Sequence, residues 1–232
     1  MKRRLPFEIL HEDRDVIAID KPAGLLTTNT RLAGRLARES QPTAENFLND
    51  YVRKGQAKSS RRVWLVHRLD RDTSGAMLFA KDERFAEAMR ADWNRLTGKT
   101  YLALVEGELE EQSGFFESYL RDDPRTMKVS SVKDARQGKL ARTEWRRLSV
   151  GGGATLVEVK LKTGRKNQIR VHFSEAGHPV VGDVKYGGAK STRLHLHSLS
   201  IEYENPRTRE KRRIEAPLFP PGSALEADRR WK

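Results

Sequence analysis

The chain contains no cysteine. Disulfides, thiolate nucleophiles and cysteine-based zinc sites are thereby excluded, and the composition fits a reducing, cytoplasmic setting. No apolar run approaches the roughly 20 residues that a membrane-spanning helix needs. The basic opening, residues 1–6, leads into no apolar signal core, so neither secretion nor a membrane partner is expected. A glycine-rich phosphate loop and a dinucleotide fingerprint are missing too, which argues against a nucleotide cofactor. Acidic residues are in short supply. Lys and Arg number 45 against 32 Asp and Glu, a formal charge of +13 and a pI near 10.1. Such an excess favours a polyanionic partner, because each phosphate neutralised by a cation releases condensed counterions. The cations are scattered rather than gathered on one helical face, which disfavours a membrane surface.

What is present reads as one globular chain of 232 residues, 37% hydrophobic and 33% charged, without internal repeats. Short strands are predicted over residues 7–10, 16–19, 63–66, 76–79, 100–105, 142–148 and 155–161. Residues 28–42 read as a loop, residues 44–52 as a weak helix, and residues 53–62 as a basic loop carrying five cations and no acid. Asp82 is a good N-cap for a helix that places Phe85, Met89, Trp93 and Leu96 on one face and stops at Gly98. Residues 165–176 read as a second helix, closed by Gly177. Leu194 and Leu196 share one strand phase while Leu199, Ile201 and Tyr203 take the other, which predicts a bulge or bend. The segment from Asn205 to Lys232, rich in Pro and Arg, reads as surface-draped or partly disordered,. Strands outnumber helices and do not alternate with them, so the expected class is α+β with a mixed, largely antiparallel sheet.

The stretch Val66-His67-Arg68-Leu69-Asp70-Arg71-Asp72-Thr73-Ser74-Gly75 carries the most chemistry. A strand runs into a polar turn and leaves through Gly75 into an apolar strand, a common way to hold catalytic groups. Asp70 stands between Arg68 and Arg71, whose charges favour an ionised carboxylate able to act as a nucleophile. On generic grounds the commoner reading of such a stretch is a capped turn with solvated arginines. Tyr101 is by the same standard a core tyrosine. Arg170 lies about 80° from the centre of the stripe marked by Ile169 and Phe173, at the flank of its helix, where it reaches a pocket or simply meets solvent.

Residues 67–70 (HRLD) and 73–75 (TSG) resemble the signature of the RluA-like branch of RNA pseudouridine synthases. Four further blocks resemble that family in order: ILHEDRDVIAIDKPAGL at 9–25, KTYLALVEG at 99–107, TGRKNQIRVH at 163–172 continuing into GHPVVGD at 177–183, and RLHLH at 193–197. Many relatives have histidine where this chain has Asn167, and alanine where it has Ser198. The resemblance implies a pseudouridine synthase fold with a central RNA-binding cleft. It implies a catalytic domain over residues 1–220 without an N-terminal RNA-binding module, followed by a flexible basic tail over 221–232. It implies an isomerase, monomeric and acting on uridines of a structured ribosomal or transfer RNA stem-loop, with no cofactor and no metal.

It also assigns roles. Asp70 is the nucleophile, attacking either the base or the sugar of an extruded uridine. Tyr101 is the stacking platform and a possible base for the carbon 5 proton. Arg170 is the cation that pairs with the catalytic carboxylate. Arg68, His67, Arg71, Thr73, Arg165, Lys166 and Gln168 are the expected RNA contacts. His195 and His197 share a strand face but lack a third ligand at motif spacing, so no metal site is expected. Two other readings are a non-catalytic RNA-binding or ribosome-assembly protein, which would not require the trio Asp70, Tyr101 and Arg170, and a nuclease. The latter, a hydrolase or nuclease using Asp70 and His67, would for most nucleases depend on metal, and the sequence offers no carboxylate cluster for paired metals near Asp70.

Overall fold

The computed structural model describes residues 4–29, 41–56 and 58–218. Most of the predicted loop over 28–42 and the predicted tail over 221–232 lie outside these residues. The chain divides into two compact units, Met1–Thr97 with Ser200–Pro217, and Gly98–Leu199 with the residues from Leu218.

The first unit is built on β1 (Glu8–Glu12), β2 (Val16–Lys21), β3 (Trp64–Leu65) and β4 (Ser74–Ala80). β2 pairs antiparallel with both β1 and β4, and β3 pairs with β4. Every residue of β4 is buried, as are Val16, Ile17, Ala18 and Ile19 of β2, which explains why these segments read as apolar runs rather than alternating ones. The helix α1 (Ala44–Arg53) starts on a capping box between Thr43 and Asn46,. Asp82 caps α2 (Glu83–Ala91), its carboxylate accepting from the Phe85 N–H at 2.9 Å.

The single helix expected from 83 to 97 is in fact two. Asp92 leaves helical geometry at φ −131°, a four-residue helix α3 (Trp93–Leu96) follows, and the next strand begins at Thr97. Phe85, Met89 and Leu96 still reach one core with Val16, Leu78 and Val66. The break turns Trp93 onto His67, the rings stacking at 4.8 Å and 19°.

The second unit holds β5 (Thr97–Glu106), β6 (Ser113–Asp123), β7 (Lys128–Val132), β8 (Lys139–Gly151) and β9 (Ala154–Leu161), joined antiparallel in the order β5-β9-β8-β6-β7. One helix, α4 (Gln168–Glu175), packs its residues Val171 and Phe173 among Leu120, Val129, Ala141, Phe116 and Trp145. The predicted start at residue 165 was three residues early, because Asn167 takes left-handed geometry at φ 53° and begins the helix as its cap.

The strand β10 (Leu196–Glu204) passes from the second unit into the first. It runs unbroken through Leu199. The phase change seen in the sequence arises because residues 194–198 are buried on both faces, whereas alternation begins only at Ile201, Glu202 and Tyr203. The expectation of a surface-draped segment after residue 205 is corrected by β11 (Lys211–Glu215), which pairs antiparallel with β10. Only Ile214 of β11 is buried. Its charged neighbours hid the strand, and one of them, Arg213, forms a cross-strand ion pair with Glu202,.

Candidate active site

In the first unit, the turn after β2 is fastened onto the loop that carries Asp70. Lys21 lies opposite Gly75 in the β2–β4 register and is fully buried. Its ammonium donates to the carbonyls of Pro22 at 2.9 Å, Leu25 at 2.8 Å and Arg71 at 3.0 Å. Three hydrogens meet three acceptors, so nothing on this buried cation is left unsatisfied. Burial pulls the Lys21 pKa down to about 8 despite the opposing carboxylates of Asp72, Asp70 and Asp20. The Gly24 N–H donates to the Arg71 carbonyl at 2.9 Å, and Arg71 Nε returns a bond to the Gly24 carbonyl at 3.1 Å. The Thr27 hydroxyl donates to the Leu69 carbonyl at 2.9 Å.

Asp70 itself is half-buried, between buried Leu69 and exposed Arg71, and its carbonyl accepts from the Thr73 N–H at 3.2 Å. The electrostatic neighbour that the sequence reading missed is Lys21. It was visible only as the first residue of the Lys-Pro-Ala-Gly turn. Arg68 is exposed and Arg71 is turned to Gly24, while Thr73 is buried. His67 Nε2 accepts from the Leu78 N–H of β4 at 2.9 Å. A nitrogen that accepts carries no hydrogen, so the neutral ring holds its proton on Nδ1.

In the second unit, Tyr101 lies on β5 opposite Val159 of β9 and is 6% exposed. Arg170 is 8% exposed. Residues 167–173 are all buried, so the expected helix flank is itself interior. Asp183, 1% exposed, grips the Arg170 guanidinium edge-on, with Nε–Oδ2 at 2.6 Å and Nη2–Oδ1 at 2.7 Å. Asp183 belongs to the Gly177–Asp183 motif, which the fold pins tightly. A Cβ on Gly182 would lie 1.9 Å from the Arg193 carbonyl oxygen, so only glycine fits there. Arg170 Nη1 donates to Asn167 Oδ1 at 3.0 Å, Asn167 Nδ2 donates to Tyr186 Oη at 2.9 Å, and the Tyr186 ring lies 5.0 Å below the guanidinium.

Gln168, expected to contact RNA, is 2% exposed. Its carbonyl accepts from Thr163 Oγ1 and the Arg165 N–H at 2.7 and 3.0 Å, and its amide donates to the Arg142 carbonyl and Thr143 Oγ1 at 2.9 and 2.8 Å. His172 continues this network, with Nδ1 2.8 Å from Thr143 Oγ1 and Nε2 3.0 Å from Ser118 Oγ. Arg165 and Lys166 are exposed. Arg165 Nε donates to the Leu140 carbonyl at 2.9 Å, and Lys166 pairs with Asp122 at 2.8 Å. Lys99, at the head of β5, is buried, and that burial lowers its pKa to about 8, with Arg165 pushing the same way.

Comparison with known proteins gives this geometry its family. The model of the RNA pseudouridylate synthase family matches residues 15–175. An uncharacterised RNA pseudouridine synthase of Bacillus subtilis, YlyB, is 33% identical over 228 residues, covering 92% of this chain and 70% of its own. The dual-specificity RNA pseudouridine synthase RluA of Vibrio vulnificus is 33% identical over 211 residues, covering 87% of this chain and 79% of its own. Among solved structures, human RNA pseudouridylate synthase domain containing 4 superposes with a TM-score of 0.73 at 23% identity, covering 91% of this chain and 88% of that one. The fold is thus the α+β pseudouridine synthase fold. The chain belongs to the RluA-like family of RNA pseudouridine synthases, isomerases that convert uridine to pseudouridine in RNA.

Proposed function

We propose that this enzyme modifies uridines in ribosomal RNA, transfer RNA or both, with Asp70 as the nucleophile. The relatives support the substrate class: one is named a ribosomal large subunit pseudouridine synthase, from Pasteurella multocida, and another carries the dual-specificity name. The observation that carries the reading is the anchoring of the Asp70 loop by Lys21, Gly24 and Thr27. A half-buried carboxylate on a loop so fastened is pre-organised to attack a base turned out of its stack. A carboxylate adduct forms and then leaves, dividing the isomerisation into easier steps: the N1–C1′ bond breaks, carbon 5 bonds to C1′, and the proton lost from carbon 5 is balanced by one gained at N1. Tyr101 serves as the platform for the uracil ring and Arg170 as the cation that keeps the nucleophile charged. Arg68, Arg71, Arg165 and Lys166, all exposed, hold phosphates, while His67, Thr73 and Gln168 support the loop and helix beside them. The enzyme works in the cytoplasm as a monomer.

Release of tritium from RNA labelled at uridine carbon 5 tests the assignment. Asp70→Asn keeps the shape of the side chain and removes its nucleophilic charge, so release should fall at least about a thousandfold. Release at the wild-type rate by that variant would refute the mechanism.

A further inference from the structure

We propose that Asn167 is a positioning residue for Arg170, its side-chain amide fixing the guanidinium against rotation about the Asp183 pair. The inference rests on the reading of Arg170 as an active-site cation and adds to it the residue that sets its plane.

An edge-on pair fixes the Nε–Nη2 side of the guanidinium. That pair by itself does not set the tilt of the group about that edge or its position along a carboxylate whose lone pairs are broad acceptors. A third bond at the opposite nitrogen sets both, and Asn167 Oδ1 makes one at Nη1, 3.0 Å away. The amide would be a poor brace if it could turn over. It is held in turn by its own N–H, which donates to Tyr186 Oη at 2.9 Å. Tyr186 is fixed as well, its Oη accepting from the Val129 N–H at 2.9 Å while its ring lies under the guanidinium. Asp183, Asn167 and Tyr186 thus hold one cation along an edge, at a corner and from below.

The backbone supports this reading. Asn167 occupies left-handed space, φ 53° and ψ 20°, directly before α4, and its side chain makes no bond to the helix N–H groups it precedes. An asparagine that only capped the helix would direct its oxygen to those groups. Here the oxygen goes to Arg170, one turn ahead. The left-handed conformation, which asparagine adopts more readily than most residues, lets the amide reach both partners.

The test compares Asn167→Gly, Asn167→Asp and Tyr186→Phe in the tritium-release assay, using as probe total RNA labelled at uridine carbon 5 from cells lacking this gene. Glycine adopts φ 53° without strain, so it deletes the amide with little disturbance of the backbone. We expect kcat to fall at least about tenfold with KM for RNA within about twofold, since a misaligned cation impairs chemistry more than binding. Aspartate keeps an acceptor for Nη1 and takes a hydrogen from the Tyr186 hydroxyl, and should keep kcat within about threefold of wild type. Tyr186→Phe should fall between the two, and adding it to Asn167→Gly should cost nothing more, because both act through one amide. Wild-type kcat in Asn167→Gly, alongside an inactive Arg170→Ala, overturns the positioning role and leaves the proposed function intact. Full activity in Arg170→Ala overturns the underlying reading instead. If Asn167→Gly melts below the assay temperature, Tyr186→Phe decides, and an unchanged kcat there refutes the proposal.

Discussion

Lys21 commits all of its ammonium hydrogens to main-chain carbonyls around the Asp70 loop. Methionine at this position keeps the apolar volume but strips the Pro22 and Leu25 carbonyls of their donor, while the Arg71 carbonyl keeps its bond from the Gly24 N–H. Each buried unpaired group costs about 1–3 kcal/mol, and this is offset in part by no longer burying a charge. We therefore expect Lys21→Met to lose about 3 kcal/mol, read by thermal melting as a drop of about 10 °C for a chain of this size. An unchanged melting temperature would show that the carbonyls find other donors. The same comparison shows what the sequence disclosed at this scale. Asp70, Tyr101 and Arg170 could be singled out as candidates because their motifs are distinctive and ordered. Their supports were not. Asp183 lies 13 residues from Arg170, and Lys21 lies 50 residues from Arg71; pairings at such separations are set by the folded backbone, not by local spacing.

Helix α4 is a buried element whose polar groups are bonded internally rather than turned to solvent. Its amphipathic look was misleading, because Gln168, Arg170 and His172 occupy the positions a surface helix would give to water, yet each is buried with partners. His172 makes this testable. Burial lowers its pKa to about 4 from 6.5, against a smaller opposing pull from Glu175. A histidine held neutral in the native state takes up a proton first in the unfolded chain. Its contribution is therefore undiminished above about pH 6.5 and is lost progressively between about pH 6.5 and pH 4. The loss should approach about 3 kcal/mol, from 1.36 kcal/mol per pKa unit. Urea denaturation at pH 7 and pH 4.5 checks it: His172→Gln should show a shallower decline than the wild type, and parallel curves would contradict the assignment. Apolar strands such as β2 and β4 were readable from sequence because burial on both faces leaves an unbroken hydrophobic run. β6, β7 and β11 were not, since each buries a single residue, Leu120, Val129 and Ile214 respectively, and so leaves no apolar run to read.

For the molecule as a whole, the surplus of positive charge governs how it meets RNA. Many surface cations are already engaged with acids, as in Arg142–Glu117, Lys166–Asp122 and Arg213–Glu202, and such exposed pairs contribute little to stability. The net +13 nevertheless remains. Raising KCl from about 50 to about 200 mM should weaken RNA binding about 50-fold to 150-fold, from single-strand to duplex slope, if four phosphates are neutralised; filter binding across that range would show it, and a flat response would exclude phosphate-dominated affinity. The division of the chain has a different consequence. The core formed by Val16, Leu78 and Phe85 is completed by Ile201, Tyr203, Ile214 and Ala216, which are synthesised after the whole stretch from Gly98 to Leu199. While the ribosome is still building this protein, its opening hundred residues must wait exposed until the last strands emerge, whereas the intervening stretch already has its five strands and α4. Chaperone demand should therefore fall on the beginning of the nascent chain rather than on its middle.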